Sequence, residues 1–304
     1  MDKLSGDLRR SRKLLPNARP GNRPGDHRGS SMATQTRNNV RSRGAGPLTL
    51  VFAHGFGCDQ HMWRLVEPTF AERFQTVLFD VVGCGQSELS AYEIGKYSTL
   101  KGYAQDIIEI IEEFADGPVV FVGHSVSAMA GVLAANMSPG LIAAHVMVGP
   151  SPSYIDEGDY VGGFSREDID SLLETLESNY LGWSSSMAPA IMGSPGQPDL
   201  GVELTNSFCQ TDPEIAKRFA RVTFLSDNRA DVARTQAPSL ILQSSDDIIA
   251  PVEVGLYLSQ VIPDNQLVVI DNVGHCPHLS APAQCITAIE HFIGTIQDRL
   301  VDER

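Results

Sequence analysis

Ser125, Asp247 and His275 occur in that order along the chain, and each follows a run of residues with strand character. Together these three types can perform nucleophilic acyl transfer. A serine hydroxyl is a poor nucleophile until an imidazole takes its proton, and a carboxylate must hold that imidazole in the right tautomer and offset its charge. Ser125 lies in Gly123-His124-Ser125-Val126-Ser127, between the β-branched run 118–122 and an Ala-rich helical pattern. Strand, sharp turn with serine at its apex, then helix is the context in which a serine nucleophile is presented. The turn is tight, so the residues flanking the serine must be small. Gly123 meets that need, whereas Ser127 stands where the G-x-S-x-G pattern has glycine and is a departure.

The other parts need positions to match. Residues 238–243 read as a buried strand, and Ser244-Ser245-Asp246-Asp247 opens the loop after it. Asp246 competes for the acid role, and the spacing to Pro251 favours Asp247. Residues 266–270 form a further strand that leads to Val273-Gly274-His275. Upstream, the strand 48–53 runs into His54-Gly55-Phe56-Gly57, a loop of the kind that supplies one backbone N–H to an oxyanion hole. The second donor is the residue after the nucleophile, so the backbone amides of Phe56 and Val126 are assigned to the developing oxyanion. Such a donor contributes ~3 kcal/mol to the transition state. All these groups fall beyond the carboxyl ends of strands, where an open α/β sheet places its ligand crevice.

Other polar residues have simpler readings. His54 and His124 flank glycines and read as hydrogen-bonded structural histidines rather than as acid or base. His278 and Cys276 lie near His275, but the intervening Pro277 and the lack of a third ligand cluster argue against zinc, so no metal is expected. Val82-Gly83-Cys84-Gly85-Gln86-Ser87 reads as a tight turn rather than a phosphate cradle. Asp106, Glu109, Glu112 and Glu113 share helical spacing and read as a solvated face.

Strand and helix patterns alternate through most of the chain: a helix over 62–73, a strand over 76–80, a helix over 98–114 and a strand over 144–148. This predicts an α/β fold with a largely parallel sheet. Between 151 and 237 the strand pattern disappears and four helical segments follow, 165–180, 181–192, 200–208 and 212–226, two of them opened by capping residues at Ser165 and Asp212. They predict a four-helix cap inserted into a core of residues 47–150 and 238–299. Of the aromatic and apolar residues in and beside the cap, Tyr154, Phe164, Trp183, Met187, Phe224 and Ile248 are the candidates for a small apolar ligand pocket.

The net charge of −14 is unevenly placed. Residues 1–46 hold 11 Lys/Arg against 3 acids, and the remainder holds 12 against 34. An acidic body disfavours nucleic acid and anionic membranes as partners. The basic stretch is rich in Pro, Gly, Asn and Ser and reads as a disordered extension over 1–46. Translation of an upstream segment, with the true start at Met32, is the favoured reading of it; an Arg-rich targeting peptide and a nucleic-acid tail are the alternatives. Five scattered cysteines without CxxC spacing read as reduced thiols in the cytoplasm.

Seven separated motifs, HGFGCDQ, GHSVSAM, MVGPSP, YVGGF, NYLGW, DDIIAP and GHCPHLS, appear in order. In them the chain resembles the RsbQ-type hydrolases of the alpha/beta-hydrolase superfamily and their plant relatives, the karrikin and strigolactone receptors, over about residues 33–296. The resemblance implies an alpha/beta-hydrolase core with a four-helix lid over a small hydrophobic pocket. It also implies a nucleophile at Ser125, an acid at Asp247, a base at His275 and oxyanion donors at Phe56 and Val126. Receptors of this family often carry GHSVS, which places Ser127 within the family pattern. The implied activity is slow hydrolysis of small lipophilic esters or butenolides without a cofactor. The implied partner, in bacterial relatives, is a PAS-domain phosphatase acting upstream of a stress sigma factor.

Overall fold

The computed structural model describes residues 33–302. Its strands are β1 (Arg41–Arg43), β2 (Thr49–Ala53), β3 (Gln75–Phe79), β4 (Val119–His124), β5 (Ala144–Val148), β6 (Ser239–Asp246) and β7 (Asn265–Val273). They form one sheet in the order β1-β3-β2-β4-β5-β6-β7, in which only the β1–β3 pair is antiparallel. Strands β2 to β5 are buried along their whole length. Strands covered on both faces carry apolar residues continuously rather than in alternation, which is how these segments read in the sequence.

The helices on the sheet are α1 (Thr34–Arg37), α2 (Glu67–Ala71), α3 (Leu100–Phe114) and α4 (Val126–Met137). The insertion between β5 and β6 carries α5 (Arg166–Ser178), α6 (Tyr180–Met192), α7 (Pro198–Gln210), α8 (Pro213–Phe224) and a short α9 (Arg229–Val232). The chain then adds α10 (Val252–Val261), α11 (Pro277–Ser280) and α12 (Pro282–Asp302). Alternate strand residues feed two cores. Phe52, Val122 and Leu242 pack with α12 and the lid helices, while Val51, Phe121 and Ile241 pack with α3, α4 and α10. The lid helices start where capping residues predict: Ser165 and Asp168 form a reciprocal capping box on α5, and Asp212 caps α8.

Four expectations are corrected. The disordered extension does not run to residue 46, because α1 and β1 lie inside it; Asn38 and Val40 are buried. An edge strand needs backbone partners rather than apolar side chains, and β1 pairs with β3 although all three of its residues are exposed. Residues 1–32, including the start expected at Met32, lie outside the described residues. The expected helix over 62–73 is instead a 3-10 turn at Gln60–Trp63 followed by α2, which begins afresh beside Pro68. A proline there has no N–H to continue a helix from the preceding turn. Helix α10, which the pattern reading passed over, is the crossover that parallel strands β6 and β7 require.

The fourth correction concerns Asp106, which is not part of a solvated face but is 2 % exposed. Its carboxylate accepts from Lys96 Nζ at 2.5 Å and Tyr97 Oη at 2.8 Å, and Arg37 Nη2 lies 3.3 Å away. Arg37 also bonds Glu109, so the network ties α1 to α3. Removing one partner from such a cluster leaves the others desolvated and unpaired. Asp106→Ala is therefore expected to lower the unfolding free energy by about 3 kcal/mol, read as a lower urea midpoint at unchanged m-value.

Candidate active site

Strand β4 ends at His124, and Ser125 turns the chain into α4 with φ 55° and ψ −126°. Positive φ is costly for a residue with a Cβ, on the order of 1–3 kcal/mol, and persists only where the surroundings enforce it. They do so here. The Ser125 N–H donates to Val148 O of β5 at 2.8 Å. A Cβ on Gly123 would lie 2.7 Å from the Ala128 nitrogen, so the strand can approach the helix this closely only with glycine there. The strain projects the Ser125 side chain away from the sheet toward the lid.

The loops after β6 and β7 bring Asp247 and His275 to it. A register shift between Ser244 and Asp246 gives β7 one residue more than β6 just before these loops. His275 Nδ1–H donates to Asp247 Oδ2 at 2.7 Å, and Ser125 Oγ–H donates to His275 Nε2 at 2.8 Å. The second carboxylate oxygen of Asp247 accepts from the backbone N–H groups of Ile249 and Ala250 at 2.8 and 3.2 Å. Asp246, the competing acid, is exposed, and its backbone carbonyl accepts from Gly274 N–H. The His275 backbone is held from two sides. Its N–H donates to Ile191 O on α6 at 2.8 Å, and its carbonyl accepts from His124 Nε2 at 3.0 Å.

Phe56 and Val126 lie beside Ser125 on the β2 loop and at the first position of α4. Among the described residues neither backbone N–H has a hydrogen-bond partner. A Cβ on Gly55 would fall 2.5 Å from His124 Nδ1 and 3.2 Å from the Ser125 Cβ, so the loop lies this close to the serine and its neighbour because position 55 has no side chain. The arrangement can pass a proton from a serine hydroxyl to an imidazole and can meet developing negative charge with two amides.

A cavity of about 30 Å³ borders Ser125 and His275. That is room for about one or two water molecules. Tyr154, Trp183 and Phe224 line it as expected, with Phe56, Leu204, Phe208 and Ile249. The Tyr154 hydroxyl lies 3.4 Å from Ser125 Oγ, and burial pushes its pKa up. Phe164 and Met187 do not reach the cavity. Both are half-buried and pack on the surrounding core, because a space this small ends before them. Ile248 is also misplaced: it is 50 % exposed, and the turn around Asp247 directs Ile249 inward instead. Leu204 and Phe208, four apart on α7, carry a helical spacing that could have revealed them. Among the described residues a larger cleft of about 730 Å³ lies beyond Cys58 and Leu204, and in its walls Arg43 pairs with Glu67 and Arg64 with Glu203.

Behind His275 stand two more imidazoles. The His124 ring is 5.0 Å from that of His275 and 4.5 Å from that of His278, which in turn lies 4.6 Å from Trp63. Among the described residues neither His278 nitrogen has a hydrogen-bond partner, and His124 Nδ1 has none. Burial, reinforced for His278 by His275 and Arg64, holds the His124 pKa well below the ordinary value and brings that of His278 to about 3. Burial thus favours the neutral form of both rings. Among the described residues no cluster of three or more His, Cys, Asp or Glu is placed to hold a metal ion.

A depressed histidine pKa means that the unfolded chain binds the proton first as pH falls. The stabilising contribution is complete above about 6.5 and is lost progressively from there toward 3. The expected result of His278→Phe is a flatter pH dependence between 6 and 4, by about 1.4 kcal/mol per pH unit relative to the parent in urea titrations.

Comparisons with known proteins show the family. A family model described as "Alpha/beta hydrolase family" matches residues 50–288. The Karrikin insensitive 2 receptor CA of Petunia hybrida is 39% identical over 257 residues, spanning 84% of this chain and 95% of its own. The strigolactone esterase D14 of Arabidopsis thaliana is 34% identical, over 81% of this chain and 92% of its own. Among solved structures, a hydrolase from Oleispira antarctica superposes with a TM-score of 0.82 at 40% identity, covering 86% of this chain and 96% of that one. The chain belongs to the alpha/beta hydrolase family.

Proposed function

We propose that the protein is a serine hydrolase that opens a small hydrophobic ester, lactone or butenolide through an acyl-enzyme. The observation that carries this reading is the unbroken relay from Ser125 Oγ through His275 to Asp247, with the serine held at a strained positive φ. Ser125 Oγ attacks the carbonyl carbon while its proton passes to His275 Nε2. The Phe56 and Val126 amides hold the oxyanion, and Asp247 holds the imidazolium. The proton then goes to the departing alkoxide as the carbonyl re-forms, leaving the acyl group on Ser125. Water repeats the sequence, giving its proton to His275 and releasing the acid and free Ser125. No cofactor enters any step. Four of the five cysteines are buried free thiols, in keeping with a reducing compartment, and we place the protein in the cytoplasm.

A second reading, a ligand receptor with slow turnover, is favoured by the small cavity beneath a helical lid and by the receptor relatives. A signalling partner of the PAS-phosphatase type has only the family resemblance behind it. Both readings use the same site.

The test is intact mass spectrometry and product release with p-nitrophenyl acetate and a butenolide probe. Turnover is expected in the parent, with a loss of about 10⁴-fold or more in Ser125→Ala and His275→Ala. Equal turnover in parent and Ser125→Ala would overturn the enzyme reading, and a probe that raises the melting temperature without reacting would favour the receptor. The cavity size generates a further prediction. Acetate esters should be preferred to butyrate, and Phe224→Ala should shift the butyrate-to-acetate ratio of kcat/KM by about 10-fold toward butyrate, since two methylenes are worth about 1.6 kcal/mol.

A further inference from the structure

Ser127 stands where the generic nucleophile pattern has glycine, and it is 3 % exposed. Its hydroxyl is fully used: Oγ donates to the backbone carbonyl of His54 at 2.5 Å. His54 is the residue from which the oxyanion loop leaves β2, so this bond joins the first turn of α4 to the root of the loop. The two segments it joins carry the two proposed oxyanion donors. Val126 N–H is one residue from Ser127, and Phe56 N–H is two residues from His54.

That loop needs external restraint. Gly55 has no side chain, and Gly57 sits at φ 70°, so its own backbone preferences fix little. The Gly55 carbonyl and the Phe56 N–H are opposite ends of one peptide plane, so whatever holds the first aims the second. The Gly55 carbonyl accepts from His54 Nδ1–H at 2.9 Å and from Cys58 N–H at 3.3 Å. The His54 tautomer is fixed in turn, because its Nε2 accepts from Val81 N–H at 2.9 Å. The His54 ring therefore aims the Phe56 amide, and the Ser127 hydroxyl holds the backbone on which that ring is mounted.

The geometry points to Ser127, acting through His54, as a positioning residue that sets the spacing and direction of the two oxyanion donors. This rests on the serine hydrolase reading above. It also gives the departure from glycine a chemical purpose: the hydroxyl ties together two pieces of backbone that must act as one site.

The experiment compares Ser127→Ala and Ser127→Gly, which delete the hydroxyl, with Ser127→Thr, which keeps it beside a small void of about 10 Å³. The assays are p-nitrophenyl acetate kinetics, acylation monitored by mass, and inhibition by a small boronic acid, whose adduct with serine is a tetrahedral anion. Loss of donor alignment should lower kcat by about 10-fold to 100-fold, somewhat less than deleting a donor outright, with KM little changed. Boronate affinity should fall by a similar factor. The pH profile should keep its shape, because the His275–Asp247 pair is untouched, and Ser127→Thr should stay within about threefold of the parent. Folded Ala and Gly variants with parental kcat and boronate affinity would overturn the inference. So would a Thr variant as impaired as Ala, or a kcat loss without any loss of boronate binding. Glycine is the residue of the generic pattern, so a misfolded Ala variant leaves the Gly variant to decide. If the parent itself never acylates, it is the hydrolase reading that fails.

Discussion

The site depends on one backbone constraint, the positive φ of Ser125 at the end of β4. A serine in ordinary extended or helical geometry would point along the sheet or into the core, out of reach of His275. Holding it otherwise demands small neighbours on every side, and the structure supplies them from separate parts of the chain. Gly123 lets the strand approach α4, Gly55 lets the β2 loop reach the serine, and Gly149 at φ 56° leaves room for the His275 ring, which a Cβ there would approach to 3.2 Å. The bond from Ser125 N–H to Val148 O ties the strained turn to the next strand, so the sheet carries the cost of the turn as a whole.

Electrostatics then distinguishes three neighbouring histidines. His275 has a carboxylate on one nitrogen and the serine on the other. His124 and His278, in contact with it or with each other, have no carboxylate partner among the described residues, and burial favours their neutral form. The cluster therefore places one imidazole between a carboxylate and a serine hydroxyl, with two buried rings behind it. His124 also bonds the His275 carbonyl through its ring Nε2, which connects the residue before the proposed nucleophile to the proposed base.

Much of this was legible in the sequence because the relevant signals are local. The strand–turn–helix around Ser125, the loop after β6 and the glycine before His275 each announce a backbone shape that their residue types require. The lid helices were legible through capping at Ser165 and Asp212. What was missed depends on tertiary partners. The burial of Asp106 follows from Arg37, Lys96 and Tyr97, which are distant in sequence or unremarkable in pattern. The strand at Arg41–Arg43 is stabilised by backbone pairing alone and has no side-chain signature. Whether Ile248 or Ile249 faces the cavity turns on two backbone hydrogen bonds to Asp247, which no periodicity reports.

The bond from His275 N–H to Ile191 O reaches from the proposed base to the last turn of helix α6, and Gly193 beyond that helix packs against Gly274. The proton acceptor and the roof of the cavity are thus one mechanical unit. A bound molecule that displaces the roof must also shift the poise of the imidazole. By reciprocity, whatever moves the His275 ring also acts on where the roof rests. In a protein built this way, a displacement of the roof and a displacement of the imidazole are one movement.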